Sequence, residues 1–234
     1  MVVTMANRPT KKVYETGVAH PAVFSDKILP VIAALLTSEH RKILDPFAGV
    51  GRVHELRQMV DWEVATVGVE LEPEWADLHP DTHVGNALSL KFADDSFDAV
   101  VTSPTYGNRL ADHHNARDGS VRRSYTHDLG RTLHDDNSGD LHWGEEYRDF
   151  HIKAWVEAKR VLRVEGRLIL NISDHIRRRQ RQYVSSWHVQ TLLQLGFVLG
   201  DAHRVVTPRL RQGANAEVRV PSELVLAFDL NVEN

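Results

Sequence analysis

The chain has 234 residues, no cysteine and a formal net charge of −4 at pH 7. Lacking cysteine, it has no disulfide, no thiolate zinc site and no thiol nucleophile. Its content of 42% hydrophobic and 26% charged residues suits one globular domain with a core, and no apolar run nears the ~20 residues of a membrane helix. Residues 1–16 lack the apolar stretch of a secretion signal. They read as a flexible polar tail on a cytoplasmic protein, and 17–234 read as one domain without repeat or linker.

In chain order, a helical pattern near 25–38 leads into an apolar strand at 42–48. A helix near 50–60, a strand at 66–71, a helix near 73–78 and a strand at 82–86 follow. A strand at 97–103 ends in a stretch of about forty polar residues, 105–144. Then come a helix near 145–163, a strand at 167–173, a helix near 184–195, and strands at 197–206 and 223–230. Strands alternating with helices imply an α/β fold, with a mainly parallel seven-stranded sheet covered on both faces. The link from Thr207 to Ser222 is too short for a crossover helix, so the last two strands are expected as an antiparallel pair at one edge.

Two strand ends carry chemistry. The first strand runs into Asp45-Pro46-Phe47-Ala48-Gly49-Val50-Gly51, a glycine-rich turn that lets a ligand approach the backbone. Glu70, ending the second strand, can accept both ribose hydroxyl protons of an adenosine. Asn86-Ala87, after the third, can meet an adenine edge. A dinucleotide-binding fold is the competing reading, but Asp45-Pro46-Phe47 stands where Gly-x-Gly-x-x-Gly belongs. After the fourth strand comes Ser103-Pro104-Thr105-Tyr106. Ser103 Oγ and the Pro104 carbonyl can accept the two hydrogens of an amino group, and Tyr106 offers a flat face for stacking a base. Thr105, Asn108 and Arg109 flank that site.

These motifs resemble those of class I S-adenosylmethionine-dependent amino-methyltransferases, in particular DNA cytosine-N4 and adenine-N6 methyltransferases. That family carries Asp-Pro-Phe-x-Gly-x-Gly, an acid after the second strand, and a Ser/Asn/Asp-Pro-Pro-Tyr/Phe tetrad. The resemblance implies a Rossmann-like sheet with a reversed last strand and S-adenosylmethionine as cofactor. It also implies that Phe24, in His20-Pro21-Ala22-Val23-Phe24-Ser25, packs on the cofactor beside Asp45, Phe47, Ala48, Gly49, Gly51, Glu70, Asn86 and Ala87. Ser103, Pro104 and Tyr106 take the catalytic places. Thr105 departs from the pattern, which has a second proline there. The missing cysteine excludes methylation at pyrimidine C5 through a cysteine adduct. RNA-base amino-methylation, for example at guanine N2, protein glutamine methylation, and a catalytically silent binding subunit are the alternatives.

The polar segment 105–144 reads as an active-site flap, without residues enough for a core. Its His and Asp residues match no compact zinc spacing, and no metal is expected. Charge is uneven: residues 1–104 carry nine basic and fifteen acidic residues, whereas 176–219 carry eight arginines and two acids. Arg177, Arg178, Arg179, Arg209 and Arg211 are the candidate nucleic-acid contacts, with DNA favoured over RNA. With no separate recognition domain visible, a homodimer or a partner subunit is a possible source of target recognition.

Overall fold

The computed structural model describes residues 20–108, 114–115, 121–122, 124–207 and 218–231. Seven strands form the main sheet: β1 (Lys42–Asp45), β2 (Ala65–Glu70), β3 (Thr82–Val84), β4 (Phe97–Thr102), β5 (Leu162–Ile172), β6 (Phe197–Val206) and β7 (Ser222–Leu230). Their spatial order is β6-β7-β5-β4-β1-β2-β3. The β1–β2, β2–β3, β1–β4 and β4–β5 pairs are parallel, whereas β7 runs antiparallel to both β5 and β6. The chain moves one way across the sheet from β1 to β3 and the other way from β4. The crevice between β1 and β4 at their carboxyl ends is therefore the switch point where ligands bind such sheets.

Alternation along the strands builds two cores. Leu44, Val100, Leu168, Leu170 and Phe228 face α4 (Glu145–Val161) and α5 (Val184–Gln194), meeting Trp155, Ala158, Val161 and Leu192. Ile43, Ala99, Val101, Ile169 and Val225 face the other way, onto Leu29 and Ile32 of α1 (Leu29–Ala34) and onto Val53 and Leu56. The last pair of strands sits at one edge, as expected from the short link, with β6 outermost and largely exposed.

The expected helix near 50–60 is wound as a 3-10 turn over Arg52–Gln58, entered through Gly51 at φ 79°. The helix near 73–78 is a single turn, α2 (Pro73–Ala76). Strand β5 starts five residues before the expected 167, because α4 runs directly into it and Glu165, at φ 62°, turns the chain without leaving the sheet.

Residues 124–144 are not a segment without anchors. They hold α3 (Tyr125–Leu129), whose Tyr125 is buried with Val50 and Trp75, and Leu129 and Leu133 pack on that cluster. Polar groups complete the attachment. Buried Glu72 accepts from the backbone N–H of His134 and from Asn137 Nδ2, each at 2.8 Å, and its carboxylate pairs with Arg131 at 2.7 Å. The tail, 1–16, lies outside the described residues.

Candidate active site

The glycine-rich turn follows β1. Asp45 is buried and accepts from the Phe47 backbone N–H at 3.0 Å and from the Thr102 hydroxyl at 2.7 Å, tying the ends of β1 and β4 together. Burial pushes its carboxyl up to about 7, against those two hydrogen bonds. Gly49 has φ 52°, which side-chain-bearing residues rarely adopt, and a Cβ there would lie 3.3 Å from the His20 ring, so another residue would strain the turn and press on that ring. Glu70, at the end of β2, accepts from the backbone N–H groups of Gly49 (2.8 Å), Leu71 (2.9 Å) and Glu72 (3.0 Å). Burial likewise pushes it up to about 7.

His20, Trp75 and Tyr125 form an aromatic wall beside this turn, with centroids 4.4 Å apart for His20–Trp75 and 5.3 Å for His20–Tyr125. The structure brings His20 to the turn and leaves Phe24 in the core under α1, with Ile28 and Ile32. The reason is local: the Phe24 carbonyl accepts from Arg52 Nη1 at 2.6 Å, which fixes the entry into α1 with the ring inward. Phe47 stacks near His151, with centroids 5.9 Å apart, and Ala48 is buried with its N–H on the Val69 carbonyl. Asn86 accepts from the Leu88 N–H and donates to Asp136 of the insert at 2.9 Å, and Ala87 is buried beside it.

The tetrad begins where β4 ends, with Thr102 opposite Leu170 of β5. Ser103 Oγ lies 3.2 Å from the Tyr106 hydroxyl, which donates to Glu223 Oε2 at 3.1 Å. Asn171 Nδ2 reaches Ser103 Oγ (3.2 Å), Tyr106 Oη (3.2 Å) and Glu223 Oε2 (2.8 Å). Its Oδ1 is buried without a hydrogen-bond partner among the described residues. Sequence reasoning gave no site role to Asn171 or Glu223, although each is a polar residue at the site end of an apolar strand.

Thr105 is tied to the insert. Its Oγ1 lies 2.8 Å from Ser138 Oγ and 3.2 Å from the Ser138 carbonyl. Its own carbonyl accepts from the Tyr147 hydroxyl at 2.6 Å. Behind Tyr147 a buried chain has only one consistent polarity. The Trp155 indole N–H can only donate, so His188 Nδ1, 3.0 Å away, accepts. Burial holds His188 neutral, so its Nε2–H donates to Tyr147 Oη at 2.9 Å. Asn108 bridges His142, and the Gly107 carbonyl accepts from the Trp143 N–H at 2.7 Å.

Beyond β5 a hairpin pairs His175–Arg177 with Gln180–Gln182, leaving Arg178 and Arg179 as its two-residue loop. Both are exposed and both have positive φ, 50° and 64°. Such loops favour Asn-Gly. Side-chain-bearing residues there are strained, at a cost on the order of 1 kcal/mol each. Arg181 instead pairs with buried Asp174 at 2.8 Å. Arg109, Arg209 and Arg211 lie outside the described residues.

His54, His79 and Asp81 bring potential metal-binding atoms within 4.8 Å of one another. Those groups are already engaged: both His54 ring nitrogens meet threonine hydroxyls, at 2.7 and 2.9 Å, and Asp81 pairs with Arg57 at 2.7 Å.

Burial gives a first prediction. His20, His54, His151 and His175 are each pushed down to about 4, chiefly by burial. The unfolded chain takes up these protons near pH 6.5, before the folded one does. Stability is therefore lost as pH falls from about 6.5 to about 4. Asp45 and Glu70, both raised, act in the opposite sense but are fewer. Denaturant midpoints should thus fall steadily between pH 7 and pH 5. A flat profile would show that these histidines do not outweigh the two carboxylates.

No protein-family model and no curated protein matches the chain. Solved structures do. A SAM-dependent methyltransferase from Methanosarcina mazei superposes with a TM-score of 0.54 at 16% identity, over 87% of this chain and 98% of that one. The [4+2]-cyclase SpnF gives 0.54 at 15% identity, over 88% and 82%. A chain of the Haloferax volcanii complex between the Trm112 methyltransferase activator and a methyltransferase gives 0.53 at 12% identity, over 89% and 91%. At such identities the likeness is one of architecture, and it agrees with the strand order and the reversed last strand: the chain has the Rossmann-like fold of class I S-adenosylmethionine-dependent methyltransferases.

Proposed function

We propose that the protein is an S-adenosylmethionine-dependent methyltransferase acting on the exocyclic amino group of a DNA base, cytosine N4 or adenine N6. The observation that carries this reading is the placement of Ser103-Pro104-Thr105-Tyr106 at the end of β4, beside the glycine-rich turn of β1, at the switch point of the sheet. The donor set suits the cofactor. Gly49 and Gly51 leave the backbone open to approach, Glu70 supplies an acceptor-only carboxylate for ribose hydroxyls, and Asn86-Ala87 lies at the next strand end. When bound, the cofactor supplies an electrophilic methyl group on a sulfonium.

The chain's own residues do the rest. An amino group on a base is a weak nucleophile because its lone pair is delocalised into the ring. Ser103 Oγ and the Pro104 carbonyl accept its hydrogens and hold the nitrogen, which favours the pyramidal geometry of attack. Tyr106 stacks on the base. Thr105, in place of the second proline, fixes the tetrad through Ser138 and through the Tyr147–His188–Trp155 chain rather than through a stiff ring. Exposure of DNA and RNA to the protein with methyl-labelled cofactor, followed by mass spectrometry of the nucleosides, tests the reading. Label on cytosine N4 or adenine N6 of DNA supports it. Label on RNA guanine N2 moves the assignment to RNA, and label on a protein amide overturns the nucleic-acid assignment.

The strained arginine hairpin supports a nucleic-acid partner, because strain in an exposed loop is retained where the side chains are used. Replacing Arg178 by Asn and Arg179 by Gly should stabilise the fold while weakening nucleic-acid binding. The slope of log affinity against log salt should shrink by about 0.9 per lost duplex contact, or about 0.7 on single strands. Stabilisation with an unchanged slope would remove these arginines from the interface.

A further inference from the structure

The geometry points to Glu223 as the end of a directed hydrogen-bond relay, Ser103 to Tyr106 to Glu223, that keeps Ser103 Oγ an acceptor and carries away the proton lost by the methylated nitrogen. This rests on the methyl-transfer reading above.

The polarity follows from donor counting. Glu223 as a carboxylate can only accept, so Tyr106, 3.1 Å away, commits its one hydroxyl proton to it. Ser103, 3.2 Å from Tyr106 Oη, then has to be the donor in that contact, since Tyr106 has no proton left. Asn171 Nδ2 sits between all three oxygens, which fixes its nitrogen rather than its oxygen on that side. With its proton sent to Tyr106, Ser103 Oγ turns a lone pair outward, and an incoming amino group meets an acceptor instead of a competing donor. Without the carboxylate, Ser103 is free to rotate its proton toward the substrate. Glu223 and Asn171 are buried, at 8% and 1% exposure, so solvent does not substitute for either.

As the N–C bond forms, the C–S electron pair leaves with sulfur and the nitrogen becomes cationic. That nitrogen releases one proton to Ser103 Oγ. Ser103 passes its own proton to Tyr106, and Tyr106 passes its own to Glu223, which ends as a neutral acid. The nitrogen's hydrogen bond to Ser103 strengthens as positive charge develops, so the relay acts mainly on the transition state. Glu223 reaches this position because β7 is antiparallel: its first residues lie at the same sheet edge as the last residues of β4 and β5. Glu223 is a positioning and proton-accepting residue that acts through Tyr106, not one placed against the substrate.

Glu223→Gln keeps shape and removes the proton sink. Its test combines calorimetric affinity for S-adenosylhomocysteine, binding of the acceptor nucleic acid without cofactor, thermal midpoint, and single-turnover rate at about pH 8. Both affinities and the midpoint should stay near wild type. The rate should fall about 10²-fold or more, the scale of a lost general base. Glu223→Asp, which restores a carboxylate, should recover part of the rate. A wild-type rate in Glu223→Gln, no recovery in Glu223→Asp, or a rate loss matched by lost affinity or stability overturns the relay while leaving the methyltransferase reading in place. Wild-type protein that labels no base overturns that reading, and the relay with it.

Discussion

Ser103→Ala is expected to lower methyl transfer by about 10²-fold or more while leaving cofactor affinity unchanged, the signature of an acceptor used only on the reacting nitrogen. The size follows from the site. Ser103 Oγ is held by Asn171 Nδ2 and Tyr106 Oη, so its lone pair is aimed before substrate arrives and little reorganisation remains at reaction. Alanine leaves the Pro104 carbonyl as acceptor for one hydrogen and nothing for the other. Tyr106→Phe separates two roles of the aromatic residue. It keeps a face for stacking and loses the hydroxyl, so substrate affinity should persist while turnover falls. Tyr106→Ala should lose both. Rapid-quench turnover with labelled cofactor, alongside calorimetry with S-adenosylhomocysteine, measures the two quantities separately. Wild-type turnover in Ser103→Ala would remove the tetrad from the chemistry.

The strands were legible because buried parallel strands need continuous apolar runs, and Ile43-Leu44, Val67-Gly68-Val69 and Ala99-Val100-Val101 stand out against polar surroundings. The two half-sites were legible for a related reason. Glycine at positive φ and a polar tetrad directly after a buried strand are local features, readable within ten residues. The attachment of the insert was not. Its anchor, Glu72, gathers Arg131, His134 and Asn137 from about sixty residues away, and no periodicity records such a bond. Single aromatics such as Tyr125 and Trp143 then do the packing that a longer apolar run does elsewhere. Phe24 and His20 illustrate a second limit. Both sit in one short motif, and which one faces the turn depends on Arg52 holding the Phe24 carbonyl. Asn171 and Glu223 mark a third. Each had a signal, a polar residue in an apolar strand, and the reversed last strand already placed the start of β7 at the ligand edge. Joining those two facts points to Glu223 from sequence, and the carboxyl end of parallel β5 points to Asn171.

Glu70→Gln should weaken cofactor binding by roughly 1.5–3 kcal/mol, about 10- to 150-fold in Kd. Glu70 is surrounded by donors alone: Gly49 N–H on one oxygen, Leu71 and Glu72 N–H on the other. A carboxylate satisfies all three and still has a lone pair for a ribose hydroxyl. Glutamine has one acceptor oxygen. Turned toward Leu71 and Glu72, it sets its NH2 against the Gly49 N–H, donor facing donor, at the turn the cofactor has to lie against. Turned the other way, it leaves two backbone donors facing the same NH2. In either orientation the turn is pushed open and the acceptor for the ribose is lost. Burial pushes Glu70 up to about 7, so its ionised form is only partly populated at neutral pH. That gives the binding a direction in pH: wild-type affinity should rise from pH 6 to pH 8 as the carboxylate forms, and the glutamine variant should lose the Glu70 share of that rise. Calorimetry with S-adenosylhomocysteine at the two pH values reads both effects. An unchanged Kd in the variant would place the ribose elsewhere and remove Glu70 from the cofactor site.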